Sequence, residues 1–225
     1  GPQARLEGAP SRRFSRVADI EPPVWAFADM GHALLVTARD GIHAILRGRS
    51  RRIAAYASTP MALSRSRRDP GRVYVGLADG LASLRFTGGT WIDEGRVDGI
   101  DETVTSLAEG AGGDLWLVAQ SHRVVRLRPR RGPPATEGAG EPGIRPDQVQ
   151  RFGPDTMTGR ISVRAVAGRA VFLTETGVLE FDEPSQSFVP VPGLEGLSAA
   201  GRRSFSWISE DPHGNIWVAS RKPGG

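Results

Sequence analysis

The sequence has no cysteine. Disulfides, thiolate nucleophiles and cysteine-based metal centres are therefore excluded. Lysine is nearly missing as well: Lys222 is the sole lysine among 29 basic residues, and the rest are arginine. No run of eighteen apolar residues occurs, so no stretch reads as a membrane-spanning helix. The N-terminus carries no charged, then apolar, then small-residue pattern of a signal peptide. Apolar residues do not recur with the helical period of 3.6. The four histidines, at 32, 43, 122 and 213, have no metal-ligand spacing between them. There is no phosphate-cradling glycine loop, no G-x-S-x-G elbow, no dinucleotide-binding turn and no kinase signature. No catalytic residue, metal or cofactor is assigned on this basis.

What is present points to strands and tight turns. Gly (29) and Pro (17) together make about a fifth of the 225 residues, as many short strands require. Net charge is +4 with 25 acidic residues against the 29 basic ones. The arginines cluster, at Arg12-Arg13, Arg47/Arg49/Arg51/Arg52, Arg65/Arg67/Arg68, Arg126/Arg128/Arg130/Arg131 and Arg202-Arg203. No aromatics interleave with them as a nucleic-acid stacking platform would need. They read as solvated loop charge, and no nucleic-acid partner is expected.

Five segments share one build: a short apolar run, a small residue, then a turn. Their central residues are Leu35, Tyr74, Trp116, Phe172 and Trp217. Four of the runs follow an alternating segment and a Gly-containing turn, which is a hairpin signal: Trp25 to Gly31, Val104 to Gly113, Ile161 to Gly168, and Phe205 to Gly214. A repeat of about forty residues with several strands per unit predicts β-propeller blades. One interval is longer, and residues 129–146 account for it, with Pro129, Pro133, Pro134, Pro142 and Pro146 marking an insertion. The expected fold is all-β: a partial propeller of about four four-stranded blades plus part of a fifth. The blades are expected near 24–57, 61–98, 103–152, 161–191 and 204–225, after a leading segment 1–12. Residues 13–19 are expected to be the outer strand of a preceding blade. A ring left open would bare two sheet faces. Both ends are therefore expected to be cuts in a larger ring, whose strand aromatics fill the space between blades.

At these residues the chain resembles the two-component regulator propeller family. Val104-Thr105-Ser106-Leu107-Ala108-Glu109 with Gly113-Asp114-Leu115-Trp116-Leu117 carries the likeness. So does Trp207-Ile208-Ser209-Glu210-Asp211 with Gly214-Asn215-Ile216-Trp217-Val218-Ala219-Ser220. Tyr74-Val75-Gly76-Leu77-Ala78-Asp79-Gly80-Leu81 keeps the second half of the repeat. The resemblance implies the periplasmic or extracellular sensor region of a bacterial inner-membrane protein. Such a protein relays a signal to a cytoplasmic histidine kinase, hybrid phosphorelay kinase or diguanylate cyclase. It also allows a homodimer through the parent chain, with no membrane contact by this segment.

Function on such a scaffold is expected on the turns between the second and third strands of each blade, where sequence varies while the strands stay alike. These turns offer Arg39, Asp40, Asp79, Gln120, His122, Glu175 and Arg221 as ligand-binding candidates, for a small molecule or saccharide. Asp40-Gly41 and Asp79-Gly80 are also strong hairpin turns in their own right. Two other readings stay open. One is a secreted or cell-surface propeller acting as an interaction scaffold. The other is a propeller lyase or glycoside hydrolase.

Overall fold

The computed structural model describes residues 17, 19–119, 123–129, 143–144, 146–153, 156–157, 159–175, 177–195, 204–211 and 213–221. Nearly all of the regular structure in them is strand. Blade one is the antiparallel meander β1 (Phe27–Asp29), β2 (Leu34–Ala38), β3 (Gly41–Leu46) and β4 (Arg49–Ala54). Blade two is β5 (Pro60–Arg65), β6 (Arg72–Leu77), β7 (Gly80–Thr87) and β8 (Thr90–Val97). Blade three is β9 (Val104–Glu109), β10 (Leu115–Ala119), β11 (Arg123–Pro129) and β13 (Pro146–Phe152). Blade four is β14 (Ser162–Val166), β15 (Arg169–Leu173), β16 (Val178–Asp182) and β17 (Ser187–Pro190). A last hairpin joins β18 (Ser204–Glu210) to β19 (Ile216–Arg221). The first strands of successive sheets pack on one another, β1 on β5, β5 on β9, β9 on β14 and β14 on β18. They are therefore the inner strands of a radial array, and the protein is a β-propeller segment.

Each inner sheet is buried on both faces, which is why its strands read as continuous apolar runs. On β10, Leu115, Leu117 and Ala119 pack toward blade two with Tyr74, Leu81 and Val104. The alternate residues Trp116 and Val118 pack toward blade four with Val163 and Phe172. The same division on β6 sends Val73, Val75 and Leu77 toward Leu35 and Ile42 of blade one. Blade four meets the last hairpin through Val166, Val171, Leu173, Phe205 and Ile208. Burying each large side chain contributes roughly 2–3 kcal/mol. Leu35, Tyr74, Trp116 and Phe172 are buried as the repeat predicts. Trp217 departs from it and is 59% exposed. Alternation turns it away from blade four, and no further sheet covers that face among the described residues.

Polar latches join blades near the ends of the inner strands. The buried Glu109 carboxylate, at the end of β9, accepts the backbone N–H of Arg67 in blade two. Glu210, at the end of β18, accepts the N–H of Ala167 in blade four at 2.7 Å. Ser106 Oγ accepts Val163 N–H across the blade three to blade four seam at 3.0 Å.

The turns between second and third strands need glycine at defined points. Gly41 has φ of 136°, and a Cβ there would lie on the Ala54 carbonyl oxygen. Gly80 has φ of 145°, and its Cβ would sit 2.5 Å from the Ile100 carbonyl oxygen. Both turns are thus pressed against the chain leaving the outer strand of their own blade. Within the insertion, β12 (Gly143–Ile144) adds in parallel to the outer strand β8 of blade two. The outer strand expected over residues 13–19 lies mostly outside the described residues.

Candidate functional site

The turn residues expected to bind ligand are largely engaged within their own blades. Asp40 Oδ1 lies 2.9 Å from His43 Nε2, and Asp40 Oδ2 accepts Arg52 Nη1 at 3.3 Å. Partial burial works against the charged form, but His43 and Arg52 outweigh it and hold the Asp40 carboxyl below its usual range. Asp79 accepts Arg96 Nη1 at 2.9 Å. Hydrogen bonds from Arg96 and Ser58 lower its pKa. Both aspartates therefore staple a turn to an arginine of the outer strand behind it. Glu175 accepts the Arg160 N–H at 3.4 Å and lies against Gly159. Arg39 is exposed at the first of these turns. Arg221 ends β19 opposite Ser204, and its side chain lies outside the described residues, as do Gln120 and His122. Among the described residues, no hydrogen bond or ion pair joins the side chain of one of these candidates to that of another.

A concavity lies at the opposite end of the strands. It is a cleft of about 580 Å³ lined by Arg68, Gly112, Asp114, Arg126, Arg128, Asp147 and Gln148. Arg68 comes from the β5–β6 turn of blade two, and the other six from blade three. Its floor is the buried Arg126 on β11. Arg126 Nε donates to Asp114 Oδ2 at 2.6 Å, and its Nη1 donates to Glu183 Oε2 of blade four at 3.2 Å. Desolvation alone would weaken its charge, but Glu183 and Asp114 more than compensate and raise its pKa. Arg126 in turn holds the Glu183 carboxyl below its ordinary range.

The guanidinium stands over two rings, 5.0 Å from the centroid of Trp116 and 5.2 Å from that of Phe181. Phe152, Phe172 and Phe188 complete the aromatic cluster beneath it. A buried guanidinium is tolerable in such a place only because carboxylates and ring faces replace the water it gives up. Arg128 Nη1 donates to Gln148 Oε1 at 3.1 Å and stays within 3.5 Å of Asp114. Arg68 donates to the Gly112 carbonyl and lies flat on Gly113. Gly113, with φ of 80°, leaves room for it. The rim thus offers guanidinium donors, a primary amide and the Asp147 carboxylate around an open space. Such a set exchanges hydrogen bonds with a polar ligand. Among the described residues, no group of three or more His, Asp and Glu could hold a metal ion.

The sequence reading missed this cleft. Arg126 and Arg128 read as loop charge, yet they alternate along β11. The available signal was Asp114 just before β10 and Arg126 on β11: Trp116 is the residue opposite Arg126, and Asp114, two positions earlier on the same face, stands diagonal to it. Glu183, 57 residues further on, carried no signal.

No protein-family model matches the chain, and no curated protein matches it in sequence. Solved structures match its shape. A catalytically inactive virginiamycin B lyase from Staphylococcus aureus with quinupristin aligns at 13% identity and TM-score 0.59, over 89% of this chain and 64% of the lyase. The extracellular domain of a putative hybrid two-component system from B. thetaiotaomicron aligns at 15% identity and TM-score 0.55, over 88% of this chain and 27% of that one. The β-propeller domain of Cps50 (Swd1) from Myceliophteria thermophila aligns at 13% identity and TM-score 0.54, over 84% of this chain and 62% of the other. The chain therefore spans less than two thirds of each of these. At such identities the likeness carries the fold, a β-propeller, and the neighbours include extracellular two-component domains.

Proposed function

We propose that this chain is part of the extracytoplasmic sensory propeller of a membrane-bound two-component protein. In this reading the parent sits in the inner membrane, with the propeller periplasmic or extracellular, and the blades form part of a larger ring. The segment binds a polar ligand, such as a saccharide, in the cleft between blades two and three, and the parent passes the signal to a cytoplasmic output module. The segment itself binds and does no chemistry.

One observation carries the reading: the repeat Gly214-Asn215-Ile216-Trp217-Val218-Ala219-Ser220 folds as a clamped hairpin. Asp211 Oδ1 accepts the N–H groups of His213 and Asn215, each at 2.9 Å, and Oδ2 accepts Asn215 Nδ2 at 2.9 Å and Trp217 Nε1 at 3.1 Å. The residues that resemble the family's repeat are thus the ones that close the turn. Likeness in shape to an extracellular two-component domain agrees with it.

The test is membrane vesicles containing the full-length parent protein, supplied with labelled ATP and a panel of neutral and acidic oligosaccharides. The expected result is autophosphorylation that one oligosaccharide changes. Asp147→Asn or Arg68→Ala should shift its half-maximal concentration upward. A parent recovered without membrane association, or turnover of a saccharide by the propeller itself, would overturn the proposal.

A further inference from the structure

The outer rim of blade one differs from every other rim described. Among the described residues its last strand, β4, pairs as a strand with β3 alone, and it carries Arg49, Arg51 and Arg52, with Arg47 in the turn before it. All four arginines are exposed. Asp40 engages Arg52. No acidic side chain pairs with Arg47, Arg49 or Arg51 among the described residues. The remaining outer strands are close to neutral: β8 mixes Asp93 and Glu94 with Arg96, β13 mixes Asp147 with Arg151, and β17 has no charge.

Charge on an edge strand ordinarily blunts unwanted pairing, and one or two charges suffice. Four of one sign within six residues repel one another inside a single Debye length, roughly 8 Å at physiological salt. That arrangement is relieved by a partner of opposite sign. The neighbouring blade supplies a precedent for how the partner sits: β8 already accepts an additional strand, β12, along its outer edge. Arg49 and Arg51 lie opposite Leu46 and Ala44 on β3, two residues apart on one face. An added strand would set every second side chain beside them.

We propose that the β4 edge is a docking site for an extended acidic segment of a partner protein, which adds as a fifth strand with alternate carboxylates over Arg49 and Arg51. Backbone pairing supplies the register and the arginines supply the selectivity.

The test uses the full chain and a labelled eight-residue peptide that alternates Glu and Thr, read by fluorescence anisotropy in low salt. The peptide should bind. The Arg49→Glu/Arg51→Glu variant should weaken it by at least about tenfold, since each replacement turns an attraction into a repulsion. Arg49→Lys/Arg51→Lys should retain most of the affinity. A peptide with alternate amides N-methylated, unable to pair as a strand, should lose binding. Unchanged melting of both variants keeps the comparison valid. Equal binding of the N-methylated peptide would overturn strand addition. Unchanged affinity in the Glu variant would overturn the proposal entirely. Arginine-dependent adsorption to phosphatidylglycerol vesicles, by a protein that ignores the peptide, would assign the rim to a lipid surface and equally overturn it.

Discussion

Replacing Glu94 with glutamine should remove a distinct part of the acid sensitivity of this protein. Glu94 stands on β8 and accepts Arg72 Nε at 2.8 Å, Arg72 Nη2 at 2.9 Å, Arg85 Nε at 2.7 Å and Ser83 Oγ at 2.6 Å. Its side chain is 17% exposed. Burial opposes the charge, but the bonds from Arg72, Arg85 and Ser83 prevail and bring the carboxyl from 4.5 down to about 2. The folded state therefore holds its proton less tightly than the unfolded chain does. The resulting stability is complete above the unfolded value, near 4.5, and disappears as pH falls through about 2. The full difference corresponds to roughly 3 kcal/mol, which solvent screening reduces to about 1–2 kcal/mol.

The assay is urea unfolding followed by tryptophan fluorescence at pH 7, 4 and 2.5. Glu94→Gln should lose about 1–2 kcal/mol at pH 7, and the gap to the parent sequence should narrow steadily below pH 4.5. A gap of equal size at pH 7 and pH 2.5 would refute the reasoning, because it would mean that shape rather than charge is being measured.

Glu109→Ala leaves the Arg67 amide without its acceptor at a buried seam and should cost about 1–3 kcal/mol in the same assay. Trp116→Ala should cost about 3–5 kcal/mol, whereas Trp217→Ala, at the matching repeat position but exposed, should change stability by less than about 0.5 kcal/mol. Asp211→Ala should speed amide exchange at His213 and Asn215 while leaving the exchange of β6 and β10 unchanged.

The blade repeat was legible in the sequence because both faces of β6, β10 and β15 are buried, so the apolar runs stand out against turns rich in Gly and Asp. The roles of Asp40 and Asp79 were half legible: the Asp-Gly pairs announce turns, but nothing local announces Arg52 and Arg96 as their partners. The cleft was not legible. It depends on Arg126 meeting Glu183 across a blade boundary, and on Arg68 lying over a glycine of the next blade. Such contacts are set by radial stacking, which a linear pattern does not encode. Trp116 and Trp217 make the same point, since identical repeat positions acquire opposite exposure from what lies beside them.

The two glutamate latches have a consequence for how this architecture tolerates change. In each, the later blade contributes a carboxylate and the earlier one only a main-chain amide, from Arg67 in one seam and Ala167 in the other. Any residue except proline supplies that amide. The loops on this side of the disc can therefore diversify without loosening the joints between wedges. New recognition chemistry can arise there while each of these two joints keeps its polar link through one acidic side chain, above the apolar packing that holds the wedges together.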